Sequence, residues 1–210
     1  MQSIAMAPKY KLTYFPIEAL AEPIRFLLSY GGIEFEDFRF ERSNWPQLKP
    51  SMPFGQVPVL EIDGEQTHQS IAIARYLGKT LNLAGANARE DLEIDSIVDT
   101  ISDFREELAT YHYEEDEAVK AKIKGPLFEK TVPYFLERFE EIAKKNNGHF
   151  ALRKLTWADM VFVGLLSYLN HMAGKNLIED LPNLQMVQSN VESLPSIKNW
   201  IAKRPYNDLI

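Results

Sequence analysis

The sequence predicts a mixed α/β unit over residues 8–80 joined to an all-α unit over residues 89–210. Three observations carry this. The first eighty residues mix strand and helix signals. Residues 81–88 hold Gly, Asn and Ala with little periodicity and read as a linker. Everything beyond them repeats at helical spacing. The chain has 210 residues, 45% hydrophobic and 25% charged, enough to build the cores of two small domains.

Tyr10, Leu12 and Tyr14 alternate with Lys11 and Thr13, the pattern of a strand. Glu22-Pro23 then opens a helix, since proline is tolerated in a first turn where its missing N–H has no partner to lose. Ile24, Leu27 and Leu28 form its apolar stripe, and Gly31-Gly32 stops it. Residues 33–40 read as a second strand. Residues 43–54 hold three prolines and read as an irregular loop. Residues 57–62 give a third strand, Asp63-Gly64 a hairpin turn, and residues 65–68 a fourth strand. Ser70 is expected to cap a helix reaching about Lys79. Strand–helix–strand followed by strand–strand–helix is the thioredoxin-like order.

In the second unit, Ile94, Ile97, Ile101, Phe104 and Leu108 recur every three or four residues, a buried stripe on a long helix. Residues 119–142 read as helical, broken at Gly125-Pro126 and again disturbed at Pro133. Thr156-Trp157-Ala158-Asp159 is a capping box, and the helix it opens is apolar nearly all round and so belongs to the core. Residues 184–191 and 196–203 give two more short helices.

Lys and Arg number 23 against 30 Asp and Glu, a net charge of −7, and this argues against general nucleic-acid binding. The chain has no cysteine, so disulfides, a protein thiolate and Cys-ligated zinc are excluded. Any thiol chemistry must use a thiol brought by a substrate. The longest nearly apolar run, residues 160–169, is too short to span a bilayer. Residues 1–7 lack the basic and apolar stretches of a signal peptide and read as a tail, which leaves a cytoplasmic location and no membrane partner as the expectation.

Candidate chemistry begins at Tyr14, which ends the first strand. A phenol there either opens on a cleft at the carboxyl ends of the strands or packs as an ordinary strand tyrosine, and position alone favours packing. Pro58 follows Val57 at the start of the third strand, where proline is allowed and trans is the ordinary isomer. Gln69 and Ser70 precede or open a helix, whose free N–H groups suit an anion or simply a cap. Asp95, Asp99 and Asp103 share one face of the long helix, which reads first as a solvated face and second as a site for a cation or a partner's basic group. His68, His112, His149 and His171 show no ligand spacing, so no metal is expected.

Together these segments resemble the sigma class of the cytosolic glutathione transferases, with likeness from about Lys9 to Leu209. The segments are Lys11-Leu12-Thr13-Tyr14-Phe15, Ala21-Glu22-Pro23-Ile24-Arg25, Pro53-Phe54-Gly55-Gln56-Val57-Pro58-Val59-Leu60, His68-Gln69-Ser70-Ile71-Ala72-Ile73-Ala74-Arg75-Tyr76-Leu77 and Leu155-Thr156-Trp157-Ala158-Asp159. The resemblance implies the glutathione transferase fold and glutathione as co-substrate. It assigns Tyr14 to the sulfur, and Val57, with a cis bond to Pro58, to the cysteinyl backbone. It assigns Gln69 and Ser70 to the γ-glutamyl end, and Trp45, Lys49 and Gln56 to the glycyl end and middle of the tripeptide. It implies a homodimer in which Asp103 reaches the neighbouring subunit's site.

A small hydrophobic electrophile is then expected between the two units, with Phe15 and Leu20 on one side and Tyr111, Tyr113, Tyr168 and His171 on the other. Lipid-peroxidation aldehydes fit such a cleft, with hydroperoxide reduction beside conjugation. Two alternatives stand: a glutathione-dependent prostaglandin D isomerase and a crystallin-like structural protein. The vertebrate isomerase branch carries Arg, Trp and Asp where Leu20, Thr110 and Ser102 stand here, which tells against isomerase specificity and metal activation.

Overall fold

The computed structural model describes residues 7–205, so the expected tail, apart from Ala7, and the last five residues of the helical unit lie outside the described residues. Strands β1 (Tyr10–Tyr14), β2 (Phe35–Arg39), β3 (Val59–Ile62) and β4 (Glu65–His68) form one sheet in the order β2-β1-β3-β4. β1 and β2 run parallel through the crossover helix α1 (Glu22–Tyr30), and the other pairs are antiparallel. This is the expected α/β order. Leu12 and Tyr14 of β1 are buried as the alternation predicts, but Thr13 between them is buried as well and Tyr10 is only half-buried, because the strand is central and covered on both faces at its end. Asp63 and Gly64 both take positive φ, which matches the twist a two-residue hairpin needs.

Three expectations are corrected here. Residues 43–54 are not an irregular loop. They form α2 (Trp45–Leu48) and short 3-10 turns at Lys49–Ser51 and Pro53–Gly55. Each of their prolines sits in a first turn, so three residues read as breakers act as starters. β3 begins at Val59, two residues after the expected start: its pairing with β1 starts at Val59 opposite Thr13, and the cis Val57–Pro58 bond precedes the ladder. Ser70 is not a cap: it is the first residue of α3 (Ser70–Thr80), and Gln69 at φ +73 holds the cap position without a side-chain bond.

The second unit is helical: α4 (Ala88–His112), α5 (Glu117–Pro126), α6 (Val132–Lys145), α7 (Trp157–Ala173), α8 (Pro182–Glu192) and α9 (Pro195–Lys203). Asn87 caps α4 by accepting the N–H groups of Arg89 and Glu90. The stripe of α4 buries Ile94, Val98, Ile101, Phe104 and Leu108, with Val98 taking the place expected for the half-buried Ile97. A π turn at Leu127–Thr131 joins α5 to α6, so the disturbance expected at Gly125-Pro126 is a π turn directly after Pro126 and not an interruption of the helix. Asp159 accepts the Thr156 N–H at 2.7 Å and the Phe150 N–H at 2.8 Å, fixing the start of the buried α7.

Two close approaches dock the units. A Cβ on Gly164 of α7 would lie 2.8 Å from Pro23 of α1, and one on Gly78 of α3 would lie 2.7 Å from the Trp157 Cβ. Arg75 bridges to Asp95 at 3.1 Å and reaches Asp99 at 3.7 Å. The acidic face of α4, expected to be solvated, is therefore partly committed to α3.

Candidate functional site

The parallel pair β1–β2 and the start of α3 place a cleft at the carboxyl end of β1. Its larger arm, about 310 Å³, is lined by Phe15, Leu20, Trp45, Gly55, Gln56, Val57, Pro58, Gln69 and Ser70. Residues spread over more than fifty positions of sequence thus meet in one concavity. Lys49 lies beside it, since a Cβ on Gly55 would stand 3.2 Å from the Lys49 Cε. A second arm, about 180 Å³, shares Leu20, Gln69 and Ser70 and continues between the units to Ser102, Arg105, Glu106 and Leu165. Gln69 and Ser70 sit where α3 presents the unpartnered N–H groups of its first turn.

Tyr14 closes β1 and is 6% exposed. Burial pushes its phenol up to about 12, while the Leu20 backbone hydrogen bond and the charges of Arg25 and Arg105 pull down and Tyr113 pushes up. The phenol therefore keeps its proton at neutral pH and acts as a donor, not as a base.

Beyond Tyr14 the hydroxyls of Tyr113 and Tyr168 meet at 2.9 Å. Burial first, then the Tyr113 hydrogen bond, pushes the Tyr168 phenol well above its ordinary range, with smaller influences from Tyr14 and Arg105. Tyr14, Tyr113, Tyr168 and Arg105 thus form one electrostatic group. The two other residues expected on this side pack against further rings, His171 through His112 onto Tyr113. Tyr111 packs edge-on against Phe128 at 5.2 Å, under Lys120. His171 packs on His112 at 5.1 Å, and burial, His171 and Lys120 hold the His112 imidazole below its ordinary value. Phe15 joins an aromatic cluster with Phe40 and Trp45 on the β1 side of the cleft. Asp103 is exposed on α4.

Arg105 is the residue that sequence reasoning missed. It lies four positions after Ile101 and three before Leu108, at the border of the buried stripe, which was the available signal. Among the described residues no group of three His, Cys, Asp or Glu is placed to hold a metal ion.

Comparison with known proteins identifies the family. The family described as "Glutathione S-transferase, N-terminal domain" matches residues 10–79. "Glutathione S-transferase, C-terminal domain" matches residues 102–204. A glutathione S-transferase of Anopheles gambiae is 50% identical over 202 residues, covering 96% of this chain and all of the relative. Hematopoietic prostaglandin D synthase of Gallus gallus is 40% identical over 202 residues, covering 94% of this chain and 98% of its own. The structure of prostaglandin synthase D of Nilaparvata lugens superposes with a TM-score of 0.91 at 45% identity, over 95% of this chain and all of that one.

Proposed function

Because the chain belongs to the glutathione S-transferase family, whose co-substrate is glutathione, we propose that it is a sigma-class member that adds the glutathione thiolate to small hydrophobic electrophiles, with Tyr14 activating the sulfur. The observation that carries this reading is the position of Tyr14. It is a buried, protonated phenol beside Phe15 and the Leu20 backbone, and those two residues line the cleft with Trp45, Gln56, Val57, Pro58, Gln69 and Ser70, with Lys49 beside it.

A free thiol titrates near about pH 8.5, so little is thiolate at neutral pH. A phenol O–H donated to sulfur favours the charged form, and one such bond is worth roughly 1.5–3 kcal/mol, or one to two pH units. The thiolate then attacks. With an unsaturated aldehyde, a C–S bond forms at the β-carbon and charge collects on the carbonyl oxygen. The Tyr113–Tyr168 pair, which shares an electrostatic influence with Tyr14, would donate to that oxygen, and a solvent proton completes the addition. With a hydroperoxide, sulfur takes the outer oxygen, the alcohol leaves protonated, and a second glutathione converts the sulfenic acid to disulfide and water.

In this reading the enzyme is a cytoplasmic homodimer, with the exposed Asp103 offered to the partner subunit's site. It binds neither nucleic acid nor membrane. No helix among the described residues is long and apolar enough to cross a membrane. The likeness to two prostaglandin D synthases supports a second reading, prostaglandin isomerisation, against which Leu20 and Thr110 stand.

The test is retention on immobilised glutathione, followed by turnover with a chlorinated nitrobenzene, an unsaturated aldehyde, an organic hydroperoxide and a prostaglandin endoperoxide. Tyr14→Phe is expected to be retained while its turnover near neutral pH falls about ten- to hundredfold. Unchanged turnover would exclude the Tyr14 role, and loss of retention by the wild type would favour a structural protein.

A further inference from the structure

The turn that joins Tyr14 to α1 is gripped from behind by the end of the chain. Glu18 and Glu22 bracket this turn and are 8% and 0% exposed. Arg204, just past α9, places Nη2 3.1 Å from Glu18 Oε1 and Nη1 2.8 Å from Glu22 Oε1. Trp200 of α9 donates its indole N–H to the same Glu22 oxygen at 2.7 Å. On the inner side Arg25, fully buried, donates to the Ile17 carbonyl at 2.8 Å and meets Glu22 Oε2 at 3.1 Å and Asp37 at 3.0 Å. Two guanidiniums and three carboxylates thus hold a short turn from two sides.

The turn needs holding. Ala19, between the two gripped carboxylates, takes φ +37, a conformation that a residue with a Cβ adopts only where its surroundings enforce it. Leu20 comes next. It lines both arms of the cleft, and its backbone is the hydrogen-bond partner of the Tyr14 phenol. A relaxed Ala19 would move Leu20 first.

We propose that Arg204 is a positioning residue for the transferase reaction: through Glu18 and Glu22 it fixes the turn that carries Leu20, and so the direction in which Tyr14 presents its hydroxyl to sulfur. This rests on the Tyr14 reading above. Arg204 touches neither Tyr14 nor the cleft lining, and its fork suits two carboxylates at once, which a lysine point charge does not.

The experiment is the pH profile of kcat/KM in wild type, Tyr14→Phe, Arg204→Met and Arg204→Lys, with thermal unfolding of each and the ultraviolet absorbance of bound thiolate as a second readout. The groups facing Tyr14 are Arg25 from α1, Arg105 and Tyr113 from α4 and its end, and Tyr168 from α7. Those facing Arg204 are Glu18 and Glu22. These neighbours are unchanged in the Arg204 variants. Arg204→Met is expected to move the acid limb and the thiolate absorbance upward by about half to one pH unit, a loss of roughly three- to tenfold on that limb, with the KM for glutathione within about twofold. Arg204→Lys should show an intermediate shift. A folded Arg204→Met with the wild-type limb overturns the proposal, as does a loss equal at every pH. If Arg204→Met does not fold, Glu18→Gln, which weakens the outer contact and leaves the Glu22 contact in place, decides by the same limb. Should Tyr14→Phe itself leave the limb in place, the Tyr14 reading has failed; a shift there without one in the Arg204 variants fails the clamp alone.

Discussion

The hydroxyl oxygens of Tyr113 and Tyr168 stand 2.9 Å apart, joining the end of α4 to the middle of α7. Tyr168 is 7% exposed and Tyr113 57%, so the pair reaches from core to solvent. Two hydroxyls carry two protons, and their mutual bond uses one. The other remains for a ligand oxygen. Tyr168→Phe is therefore expected to lower kcat/KM for an unsaturated aldehyde about five- to tenfold, the worth of one hydrogen bond, and to leave a chlorinated nitrobenzene nearly unaffected. Equal losses on both substrates would point to packing as the role of this side chain.

The raised phenol of Tyr14 makes stability fall at high pH. Its unfolded value is near 10 and its folded value about 12, so folding favours the protonated form. The contribution is whole below about pH 10 and is lost as pH climbs through about 12, on the order of 2–3 kcal/mol in all. Tyr168 adds in the same direction. Denaturant unfolding between about pH 9 and 12 should show a steeper decline in wild type than in Tyr14→Phe. Parallel curves would mean the phenol is more solvated than its burial implies.

Asp159 is fully buried, and both its oxygens are used: Oδ1 takes the Phe150 N–H and Oδ2 takes the Thr156 N–H and hydroxyl. Asp159→Ala strands two buried amides at the start of α7 and is expected to cost about 3 kcal/mol in unfolding free energy. Asp159→Asn keeps one acceptor and should cost less than half as much. A cost below about 1 kcal/mol for the alanine variant would show that water takes over these amides.

The same residue shows why parts of the chain were legible. A capping box is four consecutive residues, and its partners are fixed by the helix they open. Stripes such as that of α4 are legible for a like reason: burial follows the period. Features set by distant chain were not. Ser70 looked like a cap because the φ of +73 that makes Gln69 the cap leaves no mark in composition. The cis bond at Pro58 ran against the ordinary isomer and came into view only through the family resemblance. The prolines of residues 43–54 were read as breakers because start and stop use the same residue. Glu22 looked like an acidic residue in a first turn, yet its partners Trp200 and Arg204 lie about 180 positions away.

Docking of the two units gives a sharper expectation. Gly164→Ala would set a Cβ 2.8 Å from the backbone of Pro23, and backbone cannot swing aside as a flexible side chain does. Unfolding should cost about 2–3 kcal/mol, and the displacement falls on α1, directly after the turn that carries Leu20. Glutathione retention should weaken along with stability. Gly125→Ala is the control: its Cβ would meet only the Glu129 carboxylate at 3.9 Å, so its effect should stay within about 0.5 kcal/mol.

Arg105 separates electrostatics from shape. It lines the inner arm of the cleft with Leu20, Gln69 and Ser70, its side chain is 19% exposed, and its charge acts on both Tyr14 and Tyr168. A cation there favours a thiolate whether or not it touches sulfur, because Coulomb attraction persists beyond contact distance. Arg105→Met should raise the apparent thiol value by about half a pH unit, less than Tyr14→Phe, because the Glu106 pair and the open side of the cleft screen it. Arg105→Lys should restore most of that. The Met effect should shrink when ionic strength rises from about 0.05 to 0.5 M, whereas that of Tyr14→Phe, a directional bond, should not. If salt leaves both alike, Arg105 acts by filling the arm, and its methionine variant will instead show an altered KM for the electrophile.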